Sequence, residues 1–183
     1  MSFKIRKIPS GLAGLDEYVL GGGIPEGRAI LVYGPPGVGK TIFAFQFLMK
    51  GVELGETSMY VPLDEAPESV ISNMEELGWN VFEAITSEYL IVLGELYPPK
   101  GRPLGEFIDI IQDKVRETET RRLVIDSLSN LPRSGENVPL EHDIKEFFDR
   151  LRGMAVTSIV TCREGDPKLL HAMYEADGVI RMY

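Results

Sequence analysis

Residues 29–41 read Ala-Ile-Leu-Val-Tyr-Gly-Pro-Pro-Gly-Val-Gly-Lys-Thr, and how this stretch folds decides the rest. Ala29 to Tyr33 is a short apolar run between Gly27 and Gly34, the pattern of a buried strand. Gly34, Pro35, Pro36, Gly37, Val38, Gly39, Lys40 and Thr41 then match G-x-x-x-x-G-K-[ST] at every position. Lys40 to Leu54 continues as a helix, with Gly55 just past its end. Strand, glycine-rich loop and helix in that order make a phosphate cradle. Glycines let backbone N–H groups surround phosphate oxygens, and the helix N-terminus adds its dipole and unpaired amides. Lys40 is then placed for the β- and γ-phosphates, and Thr41 Oγ1 for Mg²⁺. A chance glycine-rich turn would need neither the strand before it nor the helix after it.

Working outward, apolar runs alternate with helical patterns, which predicts an α/β fold with a mostly parallel central sheet and helices on both faces. Further strands are expected at Thr57 to Leu63, Tyr89 to Leu93, Arg122 to Ser127, Ala155 to Thr161 and Gly178 to Met182. Helices are expected at Glu68 to Leu77 after Pro67, Leu104 to Glu117 and Leu140 to Arg152. Apolar residues occupy nearly every face of the Lys40 to Leu54 helix, Ile42 included, so it is expected to be central. Tyr97 to Pro103, with three prolines and Gly101, reads as a loop. Residues 1–183 are read as one domain.

A Mg·ATP site needs a carboxylate near the metal, supplied in P-loop proteins from the end of a neighbouring apolar strand. Asp126 follows Leu123, Val124 and Ile125 and is the metal-side candidate, acting through a bound water. Its plainer reading is a strand-end aspartate capping a turn. Asp64 and Glu65 stand at the end of the second strand and offer a carboxylate to orient the attacking water. The competing reading makes one of them the N-cap of the following helix.

Composition sets outer limits. The 183 residues are 44% hydrophobic and 26% charged, with a formal net charge of −9. That charge disfavours a nucleic-acid face, and the loops at 128–139 and 163–175 carry no basic footprint. Cys162 is the sole cysteine, so no intrachain disulfide can form, and its setting is that of a small core residue. His142 at a helix start and His171 in a loop have no partner at zinc-ligand spacing. Without a leader-like apolar stretch or an 18-residue apolar run, a cytoplasmic chain with no membrane span is expected.

The chain also resembles the RecA-like ATPases of the KaiC-like branch. The resemblance runs through IPSGLAGLDEYVLGGGIPEGRAILVYGPPGVGKT, YVPLDEAPE, LGW at 77–79, LVIDSLS, SIVTC and ADGVIRM. It implies a RecA-like core that binds ATP and Mg²⁺ and assembles as a homo-oligomer, a hexamer in the family, with a protein partner downstream. It implies that Asp126 is the Walker B acid, followed by Ser127, and that Asp64 and Glu65 hold the place of two glutamates, the first being the base. Thr161, at the tip of the fifth strand, takes the place of the residue that senses the γ-phosphate; its alternative is a hydroxyl bonded to its own backbone. Asp64 is one methylene shorter than the family's glutamate, so Glu65 is the substitute base. The family continues with a Lys-x-Arg element that reaches a neighbouring subunit's phosphate, and the sequence to Tyr183 has no such element. Slow hydrolysis is therefore expected, unless Arg133, Arg152, Arg163 or Lys168 substitutes; each otherwise reads as a solvated surface charge.

Three functional readings follow: a Mg²⁺-dependent ATPase acting as a homo-oligomeric regulator, an ATP-binding module that turns over little and controls partner assembly, and, least supported, a recombinase-like DNA-binding ATPase. Because Lys40 is the cation fixed within the loop, Lys40→Ala should weaken ATP binding by about 1.5–3 kcal/mol or more, measured by calorimetry.

Overall fold

The computed structural model describes residues 6–99 and 101–183. Position 100, in the proline-rich loop, and residues 1–5 of the N-terminal stretch lie outside the described residues. A short antiparallel ribbon, β1 (Lys7–Ile8) with β2 (Ile24–Pro25), flanks helix α1 (Ala13–Tyr18). The main sheet comprises β3 (Ala29–Gly34), β4 (Ser58–Pro62), β5 (Leu90–Val92), β6 (Arg122–Asp126), β7 (Thr157–Arg163) and β8 (Gly178–Arg181). Its order is β5-β4-β6-β7-β3-β8, and every neighbouring pair is parallel.

Strands buried on both faces need apolar side chains in both directions, which is why β3, β4 and β6 read as near-continuous apolar runs. Alternate residues then feed two cores. Ile30, Val32, Tyr60, Val124 and Ile159 pack beneath α2 (Lys40–Glu53), α3 (Pro67–Glu76) and α4 (Val81–Thr86). Leu31, Val61, Leu123, Ile125, Val160 and Cys162 pack on the opposite face. There α5 (Leu104–Glu117) buries Phe107, Ile108, Ile111 and Val115, α6 (Leu140–Gly153) buries Ile144, Phe147, Phe148 and Leu151, and α7 (Leu169–Glu175) buries Ala172. This is the α/β sandwich that the alternation of patterns predicts. Among the described residues no helix is long and apolar enough to cross a membrane.

Four differences from the sequence reading have physical causes. Helices α1, α4 and α7 are six or seven residues long, too short for a 3.6-residue period to repeat convincingly. His171 therefore lies in a helix, where the sequence places it in a loop. The fifth main-sheet strand starts at Thr157, later than expected, because Ala155 takes a left-handed conformation (φ 54°) that closes α6. Its far end reaches Arg163, since Arg163 pairs with Gly34 of β3. Finally, α2 is central along most of its length, but Ile42 is 44% exposed because the first turn projects beyond the sheet.

At the opposite end of the sheet one charged side chain joins three segments. Arg122 is fully buried; its guanidinium donates to Glu56 at 2.7 Å and to the carbonyls of Pro9 and Phe47 at 2.7 and 2.9 Å. It also stacks 4.8 Å from the centre of the Phe47 ring. A glycine is needed beside it, because a Cβ on Gly51 would stand 2.5 Å from Arg122 Cδ. Removing Arg122 leaves the Pro9 and Phe47 carbonyls without their donor and the partly exposed Glu56 without its partner, so Arg122→Ala should lower the unfolding free energy by at least about 1–3 kcal/mol, measured by urea denaturation.

Candidate nucleotide site

The loop from Gly34 to Gly39 joins the end of β3 to the start of α2, so the candidate phosphate cradle lies at the C-terminal edge of the sheet. Open α/β sheets bind their ligands at that edge. Gly39 is the N-cap of α2 and sits at φ 96°, a conformation that L side chains rarely adopt. Gly34 is required for a different reason: a Cβ there would approach the Met182 carbonyl oxygen to 2.3 Å. Lys40 bends back across the loop, and its ammonium donates to the Gly34 and Pro35 carbonyls at 2.9 and 2.8 Å.

The strand carrying Asp126 is not adjacent to the strand carrying the loop; β7 runs between them. Asp126 nevertheless meets the loop, because its side chain points to the α2 face. Thr41 Oγ1 donates to Asp126 Oδ2 at 2.8 Å, and Tyr60 Oη donates to the same oxygen at 2.9 Å. Thr161 Oγ1 donates to Asp126 Oδ1. The carboxylate, only 6% exposed, thus receives hydroxyls from α2, β4 and β7. Burial, followed by the charge of Asp126 and its hydrogen bond, raises the Tyr60 phenol well above its usual value of 10.0.

Asp64 and Glu65 part company. Asp64 is held at the tip of β6: Ser127 Oγ donates to it at 2.9 Å and Asn130 Nδ2 at 2.6 Å, and Arg163 Nη2 lies 3.8 Å away. The backbone amides of Leu63 and Asp64 both donate to the Asp126 carbonyl, at 2.6 and 3.2 Å, tying the two acidic strand ends together. Glu65 is exposed, with no side-chain hydrogen bond among the described residues. Neither acid caps α3; its N-cap is Ala66, with no side-chain cap bond, so the capping alternative is overturned.

Thr161 also needs correcting. It lies inside β7 rather than at its tip, is fully buried, and bonds Asp126 rather than its own backbone. It reaches the site through Asp126. Cys162 lies within the same strand on the opposite core, where burial raises its thiol to about 11.

A cleft of about 410 Å³ opens between the loop and α3. Lys40, Thr41, Asp64, Glu65, Asp126 and Arg163 line its polar part, and Val70 and Met74 of α3 with Leu77, its C-cap, line its apolar end. The sequence reading had assembled most of the polar set. It missed Tyr60 and Asn130 as contributors, and read Arg163 as a surface charge. The register of β4 against β6, which only the folded sheet sets, brings the Tyr60 phenol to Asp126. The Thr41 hydroxyl and the Asp126 carboxylate have the donor chemistry that suits Mg²⁺, a hard ion that takes one or two protein oxygens and keeps waters and phosphate for the remainder. Among the described residues, no group of three or more His, Cys, Asp or Glu is arranged to hold a metal.

Fold and site geometry together define the class: a RecA-like core with a glycine-rich strand-to-helix loop and a strand-end acid in contact. A family model described as "ATPase: KaiC" matches residues 8–183, and the chain belongs to this KaiC ATPase family. A UPF0273 protein of Thermotoga maritima is 36% identical, across 97% of this chain and 80% of that protein. The circadian clock oscillator protein KaiC of Thermostichus vulcanus is 32% identical across 90% of this chain, which spans only 33% of the clock protein. The crystal structure of a KaiC-like protein from Pyrococcus horikoshii OT3 superposes with a TM-score of 0.83 at 28% identity, covering 97% of this chain and 80% of that one. Membership of an ATPase family implies nucleotide binding.

Two measurements probe the hydroxyl network and its surroundings. Tyr60→Phe removes a charge-assisted hydrogen bond from a buried carboxylate and should cost about 1.5–3 kcal/mol of stability in urea denaturation. By difference from that variant, alkaline titration at the phenolate absorbance should show Tyr60 still protonated at pH 10.

Proposed function

We propose that the chain is a Mg²⁺-dependent ATP-binding protein that hydrolyses ATP slowly and works as a homo-oligomeric regulator. The observation that carries this reading is the 2.8 Å contact between Thr41 and Asp126, which joins the P-loop to the acidic strand across β7. A hydroxyl and a carboxylate at that spacing form half of a Mg·nucleotide site. Mg²⁺, when bound, would neutralise charge on the β- and γ-phosphates. The amides of Gly37, Val38 and Gly39 with the α2 N-terminus cradle the phosphates, and Lys40 transfers its ammonium from the loop carbonyls to phosphate oxygens. Asp64 orients the attacking water, positioned by Ser127 and Asn130, with Glu65 the alternative. Tyr60 and Thr161 position Asp126. The homo-oligomer, and any protein partner it controls, come from the family resemblance.

One observation favours a second reading, in which ATP is bound firmly and hardly turned over. Both oxygens of Asp64 already accept hydrogen bonds, from Ser127 Oγ and Asn130 Nδ2, so holding an attacking water competes with bonds already made. The recombinase-like reading is weakened further, because Arg133, the sole cation of the 128–139 loop, is paired with Asp143.

Phosphate release with Mg·ATP separates the first two readings, and native mass with and without Mg·ATP tests assembly. Asp126→Asn should weaken ATP binding with Mg²⁺ more than without it; equal losses would remove Asp126 from the metal's surroundings. Asp64→Asn should lower kcat by roughly 10²–10⁴-fold with ATP still bound. A loss seen with Glu65→Gln and not with Asp64→Asn would exchange the two roles, and full turnover in both and in the double variant would leave the pair without a catalytic part.

A further inference from the structure

We infer that Arg163 is a γ-phosphate-contacting cation acting in cis, on the nucleotide held by its own chain. The inference rests on the proposed nucleotide site and adds to it a residue that the P-loop pattern does not contain.

The four cations weighed as charge donors are separated by their surroundings. Arg133 is paired with Asp143 and also donates to the Val138 carbonyl. Arg152 is paired with Asp149 and donates to the Glu175 carbonyl at 2.7 Å. Lys168 donates to the Ser129 carbonyl at 2.7 Å. None of these three lines the cleft, whereas Arg163 does.

The backbone explains why. Arg163 is the last residue of β7, in register with Gly34, the first residue of the phosphate loop. The next amide, that of Glu164, donates to the Gly34 carbonyl at 3.1 Å, so β7 is anchored to the loop where it ends. Thr161 and Arg163, two residues apart on one strand, point to the same sheet face. On that face Thr161 reaches Asp126, and Arg163 extends one step further, into the cleft.

Its guanidinium is only loosely held. The contacts are Asp64 at 3.8 Å and Asn130 at 3.4 Å, both longer than a charge-assisted hydrogen bond, and the side chain is 49% exposed. A guanidinium has five N–H donors, so most remain available for phosphate oxygens. Electrostatics favours the transfer. The cleft presents three carboxylates, Asp64, Glu65 and Asp126, against two cations, Lys40 and Arg163. A triphosphate brought into that field needs every cation in reach. Moving Arg163 from Asp64 to the γ-phosphate would stabilise charge there and leave Asp64 held by Ser127 and Asn130 alone. Mg·ADP, lacking the γ-phosphate, would leave Arg163 beside Asp64.

The test uses the full chain. Calorimetry on wild type, Arg163→Ala and Arg163→Lys measures binding of Mg·ADP and of a Mg-bound non-hydrolysable ATP analogue. Arg163→Ala should weaken the analogue roughly tenfold or more, the size of one charge-assisted hydrogen bond, and leave ADP within about twofold. Arg163→Lys should keep part of the preference, because the charge remains while the planar fork is lost. Single-turnover hydrolysis by Arg163→Ala should fall by roughly 10³-fold or more. Mixing Arg163→Ala with Lys40→Ala subunits, which still carry Arg163, should restore nothing. Restored hydrolysis in the mixture would show Arg163 acting on a neighbour's nucleotide and overturn the cis assignment. Equal losses for both nucleotides, or none, would overturn the contact itself while leaving the nucleotide site standing. Failure of the wild-type chain to bind either nucleotide would overturn the site and this inference together.

Discussion

A carboxylate removed from water must be hydrogen-bonded or it destabilises the fold by several kcal/mol. Asp126 meets that demand with hydroxyls from three separate elements: Thr41 at the start of α2, Tyr60 on β4 and Thr161 on β7. The need to satisfy one buried anion therefore fixes the spacing between the phosphate loop, the sheet and the acidic strand. It also explains why the site is pre-formed. Each hydroxyl is aimed by regular secondary structure rather than by a mobile loop. Buried hydrogen-bonded networks of this kind specify one arrangement, since a half-satisfied alternative costs more than an apolar one.

The strand order gives this anion its reach. Because β7 separates β3 from β6, the loop and the acidic strand face each other across one strand width. The intervening strand also contributes: Thr161 supports Asp126, and Arg163 extends beyond it at the register position of Gly34. On the other side of β6, β4 delivers Tyr60 from its middle and Asp64 from its end. The charged groups of the cleft outside the loop and α2 thus come from a neighbouring strand or the turn that follows it, and Asn73 of α3 adds a neutral polar group. At the far end of the sheet, Arg122 ties together the N-terminal segment, the middle of α2 and Glu56. Among the described residues, Asp126 is a buried anion at the loop end of the sheet and Arg122 a buried cation at the other end.

Much of this was legible in the amino-acid sequence, for reasons that differ by element. The long helices at 104–117 and 140–153 announce themselves because an apolar side recurs over several turns. Strands β3, β4 and β6 are visible as unbroken apolar runs between turn residues. Helices α4 and α7 are not, because a turn or two of helix leaves no period, and they exist by packing Val81, Ala84 and Ala172 against a core built by other elements. The exposure of Ile42 was likewise invisible, since it depends on how far α2 extends beyond the sheet.

The sequence by itself determined the phosphate loop, the class of the fold and the candidate acids at 64, 65 and 126. Those depend on local conformation and on side-chain chemistry at a fixed spacing, and both are written in consecutive residues. The tertiary structure decided which groups touch. It placed Tyr60 on Asp126 from 66 residues away, assigned Asp64 to Ser127 and Asn130 rather than to a helix cap, and turned Arg163 into the cleft while tying Arg133, Arg152 and Lys168 elsewhere. The physical reason is strand register: a shift of one residue reverses every side chain on a strand, and only the packed sheet selects the register.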